Sequence, residues 1–523
     1  MAQLSFTLKE NIPSIVQGLR QQFRTGLTKD LTFRKQQLQN LHRMLIENKQ
    51  ELTDAVWKDL HKHKLEADTG EIAPIVDECL YMIKNLDRLA KPEHTVKRFR
   101  MNSQDKTYIR KEPKGVALVI GAWNYPIHLL FMPVVGAIAA GNCVLIKPSE
   151  VSAHTAELVS RLVPEYLDQR AYALVNGGVE ETTVVLEQKF DHIFYTGNGV
   201  VGRIVMAAAS KHLTPVTLEL GGKSPAIVAP DANLHATANR LMWGKFFNNG
   251  QTCVAPDYIL VTEKNAAALI SAFQKSLANF YTENPQKSSS YGRIVNHRQF
   301  DRLKGIIDSL DPSAIIIGGT TDRDDLYISP TVVSPVDAND TRLMENEIFG
   351  IFVDDHYFLM SKLWDTGPIL PIVTVKDMEE AVDIINAKDS PLAMYIFTES
   401  KAIYNNILDK TNSGGVLVND TLMQILEMSL PFGGVGASGM GSYHGDKSFY
   451  TFTHERSTMV KSSGMEGAMN VRYPPYNDDK HTLMAAMVYG LPAAAGAKVK
   501  EFMTVCAASW NLMFAQDREQ SKL

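Results

Sequence analysis

A chain of 523 residues is too long for one simple core, and its length points to two or more lobes around a sizeable buried interior. With 45% hydrophobic residues, 21% charged residues and a net charge of −5, the composition is that of a soluble globular protein; it excludes a nucleic-acid binder and leaves small molecules as the expected partners. The four cysteines, Cys79, Cys143, Cys253 and Cys506, follow neither CxxC nor Cys/His spacing, which excludes a disulfide framework and a zinc site and fits a reducing compartment.

The N-terminal MAQLSFTLKENIPS lacks the basic start, apolar run and small-residue cleavage site of a secretory signal, so a cytoplasmic protein is expected. From about Thr28 to Leu89 apolar positions recur at helical spacing, for example Leu38, Leu41, Leu45 and Ile46, which predicts amphipathic scaffold helices. From Gly115 the pattern changes. An apolar run Val116 to Ile120 precedes a helical Leu129 to Ala140; Cys143 to Ile146 precedes a helical Thr155 to Leu167; Tyr172 to Val175 comes next. His192 to Tyr195 then leads through a glycine turn into a helical Val200 to His212. Strand and helix alternate, which predicts a doubly wound parallel α/β sheet. Beyond Pro215 a second α/β region has strand candidates at Ala226 to Val228, Tyr258 to Val261, Ala314 to Ile317 and Ile369 to Val375.

Five short stretches carry chemistry. Gly250-Gln251-Thr252-Cys253 sets a thiol in a loop of small residues, and Glu219 stands on a strand-like segment before Gly221-Gly222-Lys223. A thiol attacks as thiolate and a carboxylate activates a water, so the two together suggest covalent thiol chemistry, whereas a lone cysteine such as Cys253 is more often an inert core thiol. Thr196 to Gly202 satisfies G-x-G-x-x-G between a strand and a helix, with Glu219 about twenty residues later, which invites a Rossmann reading in which Glu219 grips a ribose. Against that, the turn comes after several α/β elements and Glu219 runs straight into a glycine turn; the phosphate role is kept for Gly197 to Gly202 and the glutamate is reassigned. Gly121 to Pro126, with Asn124, and Lys147-Pro148-Ser149-Glu150 each come just after a strand, where open α/β sheets bind ligands. An asparagine amide can donate to an oxyanion, and a lysine with a glutamate can hold ribose hydroxyls, although either stretch alone reads first as turn chemistry.

Taken in order, GAWNYP, KPSE, FYTGNGVVG, LELGGKSP, GQTCVAPDY, ENEIFG and LPFGGVGASG resemble the aldehyde dehydrogenase superfamily over roughly residues 10 to 460. The run Val-Ala-Pro-Asp-Tyr after the cysteine, Gly-Met-Gly-Ser-Tyr-His-Gly at 439–445 and Arg472-Tyr473-Pro474-Pro475-Tyr476 resemble its class 3, fatty-aldehyde-type branch. The resemblance implies two doubly wound α/β lobes with a small oligomerisation β-extension. It places an NAD-binding lobe at 1–217 (with an oligomerisation strand near 100–113), a catalytic lobe at 218–430, a return to the cofactor lobe at 431–461 and a tail at 462–523. It also implies oxidation of a hydrophobic (fatty, aromatic or apocarotenoid) aldehyde to its acid. In that reaction Cys253 attacks the aldehyde, Asn124 holds the oxyanion and Glu219 activates water. Lys147 and Glu150 hold the adenosine ribose, Gly197 and Gly202 admit the pyrophosphate, and Glu347 and Phe349 meet the nicotinamide ribose and ring. Glu150 repels a 2′-phosphate and Lys147 attracts one, so NAD is expected with NADP left open.

Between ENEIFG and Pro368-Ile369-Leu370-Pro371 stand the 17 residues 351–367, IFVDDHYFLMSKLWDTG, where the family runs on directly. They read as a lid, as a retained intron translated in frame, or as a break that leaves a catalytically impaired, membrane-associated binding protein. An acyl-group reductase on the same scaffold is a further alternative, disfavoured by Glu219. The segments Thr107 to Arg110 and Phe449 to Val460 alternate apolar and polar residues and are expected to pair across a subunit interface in a homodimer. In the tail, Leu483 to Ala497 and Phe502 to Phe514 are apolar but shorter than the roughly 20 residues that span a bilayer. The resemblance implies an association with a membrane surface; a helix packed on the enzyme reads equally well.

Overall fold

The computed structural model describes residues 4–99, 102–344, 367–464, 466–489 and 495–520. Glu347 and Phe349, and all of the 351–367 stretch but Gly367, lie outside the described residues.

Two compact units result. The first comprises residues 1–89 and 113–453 and holds two α/β sheets. One sheet is six-stranded, in the order Gly439–Met440, Val216–Glu219, His192–Thr196, Val116–Ile120, Cys143–Lys147, Tyr172–Leu174, parallel except for its Gly439–Met440 edge. Val116–Ile120 is buried at every position, as its unbroken apolar run requires of a parallel strand covered on both faces. One covering element, the helix His128–Ala140, is likewise buried all round. Because Val216–Glu219 belongs to this sheet, the expected boundary at 217 falls inside a strand.

The other sheet is seven-stranded: Ile315–Ile317, Thr331–Val333, Ile369–Val375, Tyr258–Thr262, Pro225–Val228, Ala393–Phe397, Gly415–Val418. Successive residues of Pro225–Val228 face opposite ways, Ile227 into one core cluster and Ala226 with Val228 into the other, so apolar layers cover both faces. Strands Thr331–Val333, Ala393–Phe397 and Gly415–Val418 were not anticipated from the sequence. The N-terminal helices Leu31–Glu47, Lys49–Leu60 and Ala73–Ala90 form as expected, with Leu38, Leu41 and Leu45 buried, but Ile46 is exposed.

The second unit comprises residues 90–112 and 454–523. Its sheet runs Glu93–His94, Lys106–Pro113, Thr453–Val460. The two segments expected to pair across a subunit interface are neighbours in one sheet of this chain. Phe449 is not part of it, because its buried ring lies on the short helix Asp446–Thr451. The tail forms helices Asp478–Tyr489 and Ala495–Gln520. Among the described residues no helix is long and apolar enough to cross a membrane.

Candidate active site

In the six-stranded sheet, the chain winds one way from Val116–Ile120 to Cys143–Lys147 and Tyr172–Leu174, and the other way to His192–Thr196 and Val216–Glu219. The carboxyl ends of Val116–Ile120 and its neighbours thus flank a switch point, where open α/β sheets bind ligands. Four of the sequence candidates stand at or just after the ends of these strands: Asn124, Lys147, Gly197 and Glu219.

On one side of this edge, Lys147 Nζ donates to Glu150 Oε2 at 3.2 Å and to the Pro148 carbonyl at 3.1 Å. On the other, Asn198 caps the helix Gly199–Ser210 by accepting from Val201 N at 2.9 Å. Gly197 is required there because a Cβ would lie 2.1 Å from the Tyr195 hydroxyl oxygen. Tyr195 also feels the charge of Glu150, after burial itself, in holding its phenol protonated. A glycine with no room for a side chain, a helix amino terminus and a lysine–glutamate pair gathered at one sheet edge fit a nicotinamide dinucleotide.

Glu219 closes its strand beside Thr196, and its carbonyl accepts from Gly197 N at 3.0 Å. Its side chain is 1% exposed, and among the described residues neither carboxyl oxygen has a hydrogen-bond partner. Burial pushes the carboxyl well above the usual carboxylate range.

The thiol is positioned by an unusual turn. After the helix Leu234–Phe246, Asn248, Asn249 and Gly250 take φ of 53°, 55° and 73° in succession, a left-handed path that asparagine and glycine tolerate best. Gln251 then acts as a clamp. Its Nε2 donates to the carbonyls of Asn248 at 3.1 Å and Arg293 at 2.9 Å, and its Oε1 accepts from Val295 N at 3.0 Å. Asn124, fully buried, donates from Nδ2 to the Gln251 carbonyl at 3.1 Å, and the Tyr125 hydroxyl meets Thr252 Oγ1 at 2.7 Å. The structure thus brings Asn124 and the Cys253 loop together. A Cβ at Gly250 would stand 2.5 Å from the Gly367 carbonyl oxygen, so the residue that ends the 351–367 stretch lies against the cysteine turn.

Cys253 is partly exposed and opens into a cavity of about 670 Å³ counted with its mouth, walled by Tyr125, Leu129, Trp243, Phe247, Phe432 and others. His128, also in the wall, is lowered to about 4 by burial, so it stays neutral. Tyr443 completes the wall; burial first, then the charges of Glu219 and Cys253, keep its phenol protonated, so both lie within electrostatic reach of one side chain. Chemically, the arrangement offers a nucleophile in an apolar chamber, an amide donor tied to its loop and a buried carboxyl able to act as a base with a raised pKa. Sequence reasoning passed over Gln251 as a clamp and the aromatic wall. The run Asn-Asn-Gly was the available signal for the turn, while the wall residues are scattered along the chain and share none.

The model of the aldehyde dehydrogenase family matches residues 1–354 and 364–458, leaving 355–363, inside the 351–367 stretch, unmatched. The chain is 47% identical over 465 residues to the rat "aldehyde dehydrogenase, dimeric NADP-preferring", covering 89% of this chain and 98% of the relative. It is 47% identical over 467 residues to "aldehyde dehydrogenase family 3 member A2" of Macaca fascicularis, covering 89% and 91%. Among solved structures, the substrate-bound state of Staphylococcus aureus AldH superposes with a TM-score of 0.84 at 40% identity, covering 91% of this chain and 99% of that one.

Proposed function

The chain belongs to the aldehyde dehydrogenase family, and from that premise we propose that it oxidises a hydrophobic aldehyde to the carboxylic acid, with NAD(P) as oxidant, through a thioester on Cys253. The observation that carries this reading is a thiol opening into an aromatic cavity, its loop bonded to the Asn124 amide, with the buried and unpartnered carboxyl of Glu219 at the end of a strand.

Cys253 Sγ attacks the aldehyde carbon, and the carbonyl oxygen becomes an oxyanion that accepts from Asn124 Nδ2 and the Cys253 backbone N–H. A nicotinamide dinucleotide held at the sheet edge would supply the oxidant that accepts the aldehydic hydrogen with its electron pair. Glu219 then removes a proton from a water whose oxygen adds to the thioester carbon; the thiolate leaves and the acid forms. The apolar wall admits the substrate's hydrocarbon part and excludes bulk water from the thioester. Lys147 and Glu150 would hold the adenosine ribose and Gly197 and Gly202 would admit the pyrophosphate, while the family resemblance assigns Glu347 and Phe349 to the nicotinamide ribose and ring. Glu150 beside the ribose favours NAD, while Lys147 leaves NADP acceptable, the preference carried in the rat relative's name. The six-stranded sheet carries the cofactor candidates together with Asn124 and Glu219, and the Cys253 loop leads into the strand Tyr258–Thr262 of the seven-stranded sheet.

Aldehyde-dependent formation of NAD(P)H by the purified full chain, with one equivalent of acid, tests this; no turnover with either dinucleotide across benzaldehyde and a series of alkanals overturns it. Acyl thioester reduction without aldehyde oxidation would favour the reductase reading instead. A second reading has its own support: the unmatched 355–363 stretch lies closely after Glu347 and Phe349, so this form binds dinucleotide weakly and the form lacking the stretch is the active one. Assembly as a homodimer fits the exposed edge strand Thr453–Val460 and the word "dimeric" in the rat relative's name. Contact of the tail with a membrane surface is supported by the exposed Val499, Phe502, Met503 and Trp510 on Ala495–Gln520. Light scattering and flotation with anionic vesicles test these two points; a monomer, or no flotation, refutes them.

A further inference from the structure

Lys62 stands just after the helix Lys49–Leu60, far in sequence from every motif that reads as catalytic, and its side chain is completely buried. Its ammonium donates to Glu71 Oε1 at 2.6 Å and to the Asn124 backbone carbonyl at 3.0 Å, and stands 3.9 Å from the centroid of the Tyr125 ring. The other oxygen of Glu71 accepts from Ile127 N and His128 N, both at 3.1 Å. A lysine and a glutamate withdrawn from water are costly to bury, and apolar residues would join two helices at least as well. Among the described residues, every hydrogen-bond partner of the pair outside itself belongs to residues 124–128, although Glu66 also feels the Lys62 charge.

That stretch is also tied to the cysteine turn. The Asn124 carbonyl accepts a second bond from Asn248 Nδ2 at 2.9 Å, and the same nitrogen donates to the Gln251 carbonyl at 3.0 Å, where Asn124 Nδ2 also arrives at 3.1 Å. The Tyr125 ring under the ammonium carries the hydroxyl that meets Thr252 Oγ1. Of the two bonds on the Asn124 carbonyl, the one from Lys62 is charge-assisted and hence the stronger.

We propose that Lys62, held by Glu71, is a positioning residue for the oxidation, fixing the Asn124 backbone and the Tyr125 ring so that the Asn124 side-chain amide and the loop carrying Cys253 keep one register. The role rests on the reading of Asn124 as the oxyanion donor. Without the ammonium, Asn248 alone restrains the Asn124 carbonyl, and a displacement on the order of 1 Å at a reacting centre costs up to about 10²-fold.

The test uses the full chain as Lys62→Met, which keeps the apolar stem, and as Lys62→Met/Glu71→Gln, which removes both charges of the pair. The second carries the test if the first does not fold. Stopped-flow NAD(P)H formation in the first turnover, with saturating aldehyde and dinucleotide, separates a rate constant from an amplitude; the rate constant is independent of how many molecules are folded. The rate constant should fall by about 10- to 100-fold in both variants. Amplitude and dinucleotide affinity should stay within about twofold, because neither the thiol nor the cofactor edge is touched. In an Asn124→Ala background the Lys62 change should add less than about twofold, since the group it positions is gone. A lower amplitude at an unchanged rate constant, or full multiplicative effects in the Asn124→Ala background, overturns the proposal. Should Asn124→Ala slow the first turnover while Lys62→Met does not, the positioning role falls and the oxyanion role stands. An unchanged rate constant in Asn124→Ala removes both.

Discussion

Replacing Glu219 by glutamine should improve stability at alkaline pH while stopping turnover at the thioester. The carboxyl is 1% exposed, its oxygens have no partner among the described residues, and burial alone raises its pKa well above the ordinary 4.5. Between the unfolded and folded pKa values the native state holds one proton that the unfolded chain has lost. Stability therefore falls by about 1.4 kcal/mol for each pH unit in that window, starting above the ordinary carboxylate value and ending where the folded group finally ionises. Glutamine does not titrate, so the Glu219→Gln melting temperature should gain on wild type steadily as pH rises from 5. Glu66 and Glu78, each pushed by burial up to about 7, impose the same slope on both proteins, and only the difference between the melts reports Glu219. In the same variant acylation should proceed, giving one equivalent of NAD(P)H and then slow release, with the acyl mass on Cys253 visible by mass spectrometry. Parallel pH dependence of the two melts would refute the buried, unpartnered carboxyl; equal loss of first turnover and steady state would refute its role as the deacylating base.

Cys253→Ala should abolish oxidation with dinucleotide binding by calorimetry nearly intact, and retained turnover would contradict the nucleophile. Asn124→Ala should slow oxidation by roughly 10²- to 10³-fold at unchanged dinucleotide affinity, measured by steady-state kinetics; an effect confined to cofactor binding would contradict the donor. A Cβ at Gly70 would touch the Tyr125 and Phe247 rings at 3.4 Å, so Gly70→Leu should fill the cavity between them and cut kcat/KM for benzaldehyde far more than for propanal; equal effects would show that this wall does not bound the substrate. Deleting residues 351–367 should tighten dinucleotide binding and raise activity, and a full-length chain as active as the deletion would establish the stretch as a working loop.

Local signals carried much of the fold. Val116–Ile120, Cys143–Lys147 and His192–Thr196 announce themselves as apolar runs ended by glycine or proline, and the turns at their carboxyl ends hold several of the candidate groups. Glu219 and Cys253 were legible for the same reason, each next to a glycine turn that the backbone needs. The strand Ala393–Phe397 is as apolar but ends in Thr398-Glu399-Ser400, with no glycine or proline to mark its carboxyl end. Phe449 misled because a helix of six residues is too short to show a period against the strand Thr453–Val460 beyond it. The ion pair of Lys62 and Glu71, and the reach of both to residues 124–128, depend on how distant segments meet in space, which no local pattern encodes.

Among the described residues, the wall of the chamber in front of Cys253 has no lysine or arginine, and its one histidine there, His128, is held neutral. It therefore treats the two ends of the reaction differently. An aldehyde enters as an uncharged molecule and gains from leaving water, whereas hydrolysis creates an anion that finds aromatic rings where it would need a counter-charge. Product inhibition should be weak, and the commitment of the reaction to the acid is built into a wall that never touches the bond being broken.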